Sequence, residues 1–338
     1  MGTGNVPQGL SAVKRLVIVA PNWLGDAIMA LPAVEDVRRL AARATIVMAA
    51  RASIAPLVRL VASVDDTLVI GGRDDHERLR SGGFEVAILL PNSFRSALTV
   101  WRAGIAERWG YRSDLRGPLL TRAIAPPGPL HQGAYYQHLT RALGVPSGAL
   151  TPRLAVTDDD RQAGRTMLAE AGWDGRTPLV ALAPGAAYGG AKRWPAASLA
   201  ALARDLAGDG FLPVLIGGAT DRPAGLEVAG AIGTGPAVVS LIGRTDLPAL
   251  GGVLAHCRAL VSNDSGAMHF AAALGVPVTA LFGPTDERAT HPLGPAPHVV
   301  LASPVWCRPC LLRECPLDHR CMRGITVEAA VSATRRWL

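Results

Sequence analysis

The sequence predicts an α/β protein made of two Rossmann-like halves. Three observations carry that reading. Short β-branched runs alternate with helical periods from Arg15 to about Gly110, and the alternation restarts from Thr177 to Pro284. Strands alternating with helices imply parallel sheets covered by helices on both faces. The chain has 338 residues, enough for two domains of ordinary size, each with its own core. Its hydrophobic fraction is 49%, which suits a globular chain and argues against disorder.

In the first half, RLVIVA, ATIVMAA, DTLVI and FEVAILL read as strands, and DAIMALPAVEDVRRLAA reads as one amphipathic helix. In the second half, PLVALAP, FLPVLIGG, AVVSLIG, RALVSND and VPVTALFGP read as strands. There PAASLAALARDLAGDG and SGAMHFAAALG read as helices that stop at a glycine, the residue favoured just past a helix end. Between the halves, TDDDRQAGRTMLAEAGWDGR opens on an Asp-rich cap and ends in Gly-rich turns. It is expected as a linker, at 156–176, between an N-terminal domain of residues 1–155 and a C-terminal domain of residues 177–338.

The formal net charge is +7, carried mostly by arginines scattered through loops. Scattered charge is a solvated surface by default, and its functional reading is attraction to anionic substrates or an anionic membrane face. No block of consecutive Lys or Arg is long enough to support nucleic acid, so no nucleic-acid partner is expected. Lys14 and Arg15 precede only five apolar residues before Pro21, too short for a signal peptide. No apolar run reaches the roughly 18 residues a spanning helix needs. A cytoplasmic protein that touches a membrane from its surface is the expectation.

Seven loops carry candidate chemistry. PNWLGDAIMALP follows the first strand and places a lone carboxylate, Asp26, at the mouth of an apolar helix. VSNDSGAMHF ends a strand at Asn263-Asp264-Ser265-Gly266 and begins a helix, which fits either a helix cap or a phosphate site. His269 lies in the first turn of that helix and reads as a supporting residue. APGAAYGGAKRWP is a Gly-rich loop, from Gly185, that ends in Lys192 and Arg193; glycine permits close backbone approach and lysine supplies a mobile ammonium. Asp221 and Thr245 end two further strands, where each fits a turn cap or a contact to ribose, base or phosphate. LLPNSFRSAL and GYRSDLRGPLL bring Asn92, Ser93, Arg95, Arg112 and Arg116 to the first half, as surface arginines or as an anion-lined acceptor pocket.

Cys307, Cys310, Cys315 and Cys321 have the spacing C-x2-C-x4-C-x5-C, with His319 among them. Four thiols this close suit a structural zinc site or, in principle, an iron–sulfur cluster, although the spacing is irregular for common zinc modules. Cys257 stands alone in an apolar segment and reads as a core thiol.

Taken together, NWLGDAIMALP, LPNSFRSAL, PGAAYGGAKRWP, VSNDSGAMHFAAALGVPVTALFGPT and CRPCLLRECPLDHRCM resemble the family-9 glycosyltransferases, the lipopolysaccharide heptosyltransferases, and most nearly their heptosyltransferase II branch. The resemblance runs in order over nearly the whole chain. It implies a GT-B architecture, two Rossmann-like domains facing across a cleft. It further implies inverting, metal-independent transfer from ADP-L-glycero-D-manno-heptose to a heptose/Kdo acceptor on the lipid A-linked core oligosaccharide, at the inner face of the cytoplasmic membrane. In that reading the C-terminal domain binds ADP-heptose and the N-terminal domain binds the acceptor. Asp26 maps onto the base. Lys192 and Asp264 to Gly266 map onto donor pyrophosphate binding, with Asp221 and Thr245 as looser matches. The D-x-D at Asp158–Asp160, a pattern used by metal-dependent transferases, falls at a helix cap and is not read as a metal site. Two rivals share the fold: a nucleotide-sugar epimerase, which needs no acceptor, and a non-catalytic nucleotide-sugar binding protein. A nicotinamide oxidoreductase lacks its G-x-G-x-x-G.

Overall fold

A computed structural model describes residues 10–234 and 237–338. The chain divides into two compact units, Met1–Pro152 and Arg153–Leu338. Unit 1 holds β1 (Arg15–Val19), β2 (Thr45–Ala50), β3 (Asp66–Val69), β4 (Val86–Leu89), β5 (Glu107–Tyr111) and β6 (Arg122–Ile124). They form one parallel sheet in the order β3-β2-β1-β4-β5-β6. Unit 2 holds β7 (Leu179–Ala183), β8 (Leu212–Leu215), β9 (Val239–Ser240), β10 (Cys257–Asn263), β11 (Val278–Phe282) and β12 (His298–Ala302). Their order is β12-β11-β10-β7-β8-β9, also all parallel.

Both sheets have the doubly wound order, so the expected fold of two Rossmann-like domains is present. In such sheets the strand order reverses at a switch point, where ligands bind outside the strand carboxyl ends. That point lies between β1 and β4 in unit 1 and between β7 and β10 in unit 2. The strands beside it are buried on both faces: Leu16, Val17, Val86 and Ala87 in unit 1, Val180, Ala181, Leu260 and Val261 in unit 2. This is why they read as continuous apolar runs rather than alternating ones.

Three differences from the sequence reading have physical causes. DAIMALPAVEDVRRLAA is two helices, Leu24–Met29 and Leu31–Leu40, because Pro32 has no N–H to continue the ladder. β5, β6 and β12 lie outside the predicted strands, since ERWGY and RAI carry charge and HVVLA follows a Pro-rich turn. Residues 156–176, expected as a linker, fall within unit 2. There the Asp158–Glu170 helix crosses the Leu247–Leu254 helix at two glycines. A Cβ on Gly164 would meet the Gly252 carbonyl carbon at 2.2 Å, and one on Gly252 would meet the Asp160 carbonyl oxygen at 1.9 Å. The triple aspartate is this helix's first turn, capped by Thr157, whose Oγ1 accepts from Asp160 N at 3.1 Å.

Candidate active site

In unit 2, the loops after β7 and β10 meet at the switch point. Asn263, the last residue of β10, joins them: its Nδ2 donates to the carbonyls of Pro184 (3.0 Å) and Gly185 (3.2 Å), and its Oδ1 accepts from Trp194 N (3.0 Å). The Gly185–Trp194 loop is thereby fixed against the start of the Gly266–Leu274 helix. Ser265 holds the cap position of that helix but makes no side-chain capping bond; its Oγ lies 3.2 Å from Ser262 Oγ instead. The helix therefore presents leading N–H groups and the positive end of its dipole without a side-chain cap from Ser265. His269 is buried in the same helix, and Gly275 ends it in the left-handed region at φ 85°.

Asp264 sits beside this terminus, where an isolated carboxylate would repel a phosphate. It is not isolated. Lys192 Nζ donates to Asp264 Oδ2 at 2.6 Å, and Thr285 Oγ1 donates to the same oxygen at 2.6 Å. Both charges are buried, with 12% of the Lys192 and 5% of the Asp264 side chain exposed. The ammonium has three donors. Two point at Asp264, the second to its backbone oxygen at 3.4 Å, which leaves one for a ligand. The Lys192 charge also lies 4.8 Å over the Tyr188 ring. Asp221, after β8, accepts from Gly218 N at 2.9 Å, and its carboxylate lies so close to Gly185 that a Cβ there would meet Oδ1 at 2.1 Å. Lys192, Asp264, Ser265, Gly266, Gly185 and Asp221 are thus gathered at one end of the sheet. Thr245 follows the edge strand β9, two places from β7.

In unit 1, Asp26 is the third residue of the Leu24–Met29 helix, whose cap position is Trp23. Tyr136, on the Gln132–Ala142 helix, faces Asp26. Burial holds its phenol well above the ordinary tyrosine range, and the Asp26 charge adds to that. Asn92 and Ser93 follow β4. Asn92 Nδ2 donates to the Tyr135 hydroxyl at 2.8 Å, and Ser93 caps the Phe94–Arg102 helix through Ser96 N at 3.3 Å. Asn22, Arg51, Gly71, Ser93 and Arg95 line a pocket of about 130 Å³ at the same end of the sheet. Arg112 is exposed.

Arg116 departs from its expected place on the acceptor surface. It is fully buried, with Nε donating to Tyr111 O at 2.8 Å, Nη1 to Pro91 O and to Ser96 Oγ at 3.2 Å, and Nη2 without a partner. Burial lowers its pKa to about 10. Arg116 is a strut under the β4 and β5 loops rather than a ligand-facing cation.

Among the described residues no group of three or more His, Cys, Asp or Glu side chains is placed to hold a metal ion. Cys307, Cys310, Cys315 and Cys321 are free thiols. Cys321 is buried on the Arg320–Arg323 helix against Gly283, while Cys310 is exposed. What this tail does is hold the Lys192 loop. Tyr188 Oη donates to Leu311 O (2.7 Å), Ala191 N to Arg313 O (2.9 Å) and Gly190 N to Glu314 Oε1 (3.1 Å). Sequence reasoning missed Asn263, Thr285, Tyr188 and Glu314 as site residues. All four lie inside stretches already singled out, but nothing local shows that Glu314 reaches the loop, across 124 residues.

The model of glycosyltransferase family 9 (heptosyltransferase) matches residues 75–320. Lipopolysaccharide heptosyltransferase 2 of Salmonella typhimurium is 32% identical over 307 residues, covering 85% of this chain and 87% of that protein. Lipopolysaccharide heptosyltransferase 2 of Escherichia coli matches over the same length at 32%. Among solved structures, E. coli ADP-heptose lps heptosyltransferase II superposes with a TM-score of 0.84 at 28% identity, covering 96% of this chain and 98% of that one.

Proposed function

This chain belongs to glycosyltransferase family 9, the heptosyltransferases, and on that premise we propose how its two sites work. The enzyme transfers heptose from ADP-L-glycero-D-manno-heptose to a heptose/Kdo acceptor of the lipopolysaccharide inner core. It acts in the cytoplasm, on a lipid A-linked acceptor at the inner face of the membrane. Among the described residues no helix is long and apolar enough to cross a membrane.

The observation that carries this reading is the buried Lys192–Asp264 pair at the start of the Gly266–Leu274 helix. Asp264 fixes the ammonium and offsets its charge, so pyrophosphate recognition rests on one directed N–H from Lys192 together with the helix N–H groups. These donors stabilise the negative charge that grows on ADP as it leaves, without a metal in the step. Asp221, beside Gly185, accepts from a ribose hydroxyl, and Thr245 makes a secondary donor contact. In unit 1, Asp26 accepts the proton of the attacking acceptor hydroxyl, an effect worth about 10²–10⁴-fold. The hydroxyl oxygen bonds to the anomeric carbon as the bond to ADP breaks, the electron pair leaves with ADP, and the configuration inverts. Asn92, Ser93, Arg95 and Arg112 contact the acceptor.

Incubation with ADP-heptose and a heptose-deficient core acceptor, in EDTA, tests this. The expected product is one heptose heavier by mass spectrometry. Donor conversion without an acceptor would favour the epimerase, and binding without any product would favour the non-catalytic protein.

A further inference from the structure

The Phe94–Arg102 helix has two apolar faces, and the fold uses one. Ala97 and Val100 join the unit 1 core. Phe94, Leu98 and Trp101, at i, i+4 and i+7, form a separate stripe along the outside. Phe94 is 42% and Trp101 49% exposed, and Leu98 is half-buried. Leu115 continues the stripe: Asp114 Oδ2 accepts from Phe94 N at 2.6 Å, which brings the 113–116 turn to the helix start. Leu115 is 92% exposed, at a φ of 56° that a branched residue adopts at a cost. A leucine held in that way with no protein contact to justify it marks a surface made for something outside the chain.

The charges beside the stripe say what that is. Arg95 and Arg102 flank it on one side, both exposed. The neighbouring Asp75–Ser81 helix adds Arg78 and Arg80, with Arg80 Nη2 donating to Arg102 O at 2.6 Å. Against these four arginines the two helices expose Glu77 and the adjoining turns expose Asp74 and Asp114, while Asp75 is buried under the N–H groups of Gly71 and Gly72. A row of Phe, Leu and Trp bordered by arginines in excess over the acids is the pattern of an interfacial helix. Its apolar side chains enter the acyl boundary and its guanidinium groups remain among anionic headgroups. We propose that the Phe94–Leu98–Trp101 stripe, with Leu115 and the adjoining arginines, is the surface by which unit 1 docks on an anionic phospholipid bilayer. This rests on the reading above for its purpose, since a lipid-linked acceptor is met at a membrane, but its test needs no sugar.

The test is co-sedimentation of the full chain with vesicles of phosphatidylcholine alone or with about 30% phosphatidylglycerol. The wild type partitions onto the anionic vesicles, and salt weakens the binding. Trp101→Ser lowers partition about tenfold or more, and Arg102→Gln about fivefold. Leu115→Asn suits the left-handed turn better than leucine, so its loss of vesicle binding with an unchanged or raised melting temperature cannot come from unfolding. Turnover of a delipidated acceptor by Trp101→Ser stays within about twofold of wild type. A wild type that ignores anionic vesicles, or Trp101→Ser and Leu115→Asn proteins that bind them as well as wild type, overturns the proposal. So does a wild-type dimer that Trp101→Ser converts to monomer, which assigns the stripe to a second copy. Vesicle binding with no transfer activity would instead strike the enzymatic reading and leave this surface intact.

Discussion

Lys192→Ala separates two roles that one side chain holds. Removing the ammonium leaves the Asp264 carboxylate, 5% exposed, with the Thr285 hydroxyl as its remaining side-chain donor. Breaking a buried pair by deleting one partner costs about 3–5 kcal/mol. Because Lys192 retains some water contact, the lower end applies, about 3 kcal/mol. For a unit of this size that is a fall in melting temperature of roughly 6–12 °C. Lys192→Ala combined with Asp264→Asn removes the stranded charge and should recover the stability to within about 1 kcal/mol. Donor binding should not recover, because the N–H aimed at phosphate is gone in both proteins. A lost charge-assisted hydrogen bond of about 1.5–3 kcal/mol weakens ADP roughly 10- to 150-fold. Calorimetric melting and isothermal titration with ADP read the two effects. If the double variant regains ADP affinity with its stability, Lys192 acts only as a strut. If the single variant melts with wild type, the pair contributes nothing and the account of Asp264 is wrong.

Three further outcomes follow from contacts in unit 2. Gly185→Ala drives a methyl into Asp221 and forces its carboxylate off Gly218 N, at a cost of about 1–2 kcal/mol in urea unfolding. Adding Gly185→Ala to Asp221→Ala should then cost almost nothing, and an additive result would show that the two residues do not meet. Glu314→Ala frees Gly190 N and should raise the donor KM about 2- to 10-fold with kcat within about twofold; an equal fall in kcat would place Glu314 in the chemistry. The half-buried Cys257 thiol is pushed up to about 12 by desolvation, so little of it is thiolate at pH 8. Iodoacetamide at that pH should label exposed Cys310 first and Cys257 and buried Cys321 last, and labelling of Cys257 ahead of Cys310 contradicts its raised pKa.

Much of this was legible in the sequence because the signals are local. The strands beside both switch points are buried on two faces, so VIVA, VAIL, LVALA and ALVS stand out as apolar runs. Gly275 and Gly210 mark helix ends through their backbone freedom. The edges were harder: β5 carries Glu107 and Arg108 in a strand whose outer neighbour β6 is three residues long. The pairing of Lys192 with Asp264 spans 72 residues and depends on the sheet order bringing β7 beside β10, which no local pattern encodes. Arg116 shows the opposite limit. A surface arginine and a buried strut have the same letter, and only the carbonyls of Tyr111 and Pro91 around it distinguish them.

The most direct test of the central claim is the Asp26→Asn protein in a single-turnover transfer assay with ADP-heptose and acceptor, set beside its ADP affinity. Asn keeps the size of the side chain and removes its basicity, with a cost to the short helix of about 0.3–1 kcal/mol. Transfer should be about 10²–10⁴-fold slower than wild type with ADP affinity within about twofold. Transfer at the wild-type rate would contradict the assignment of Asp26 as the base.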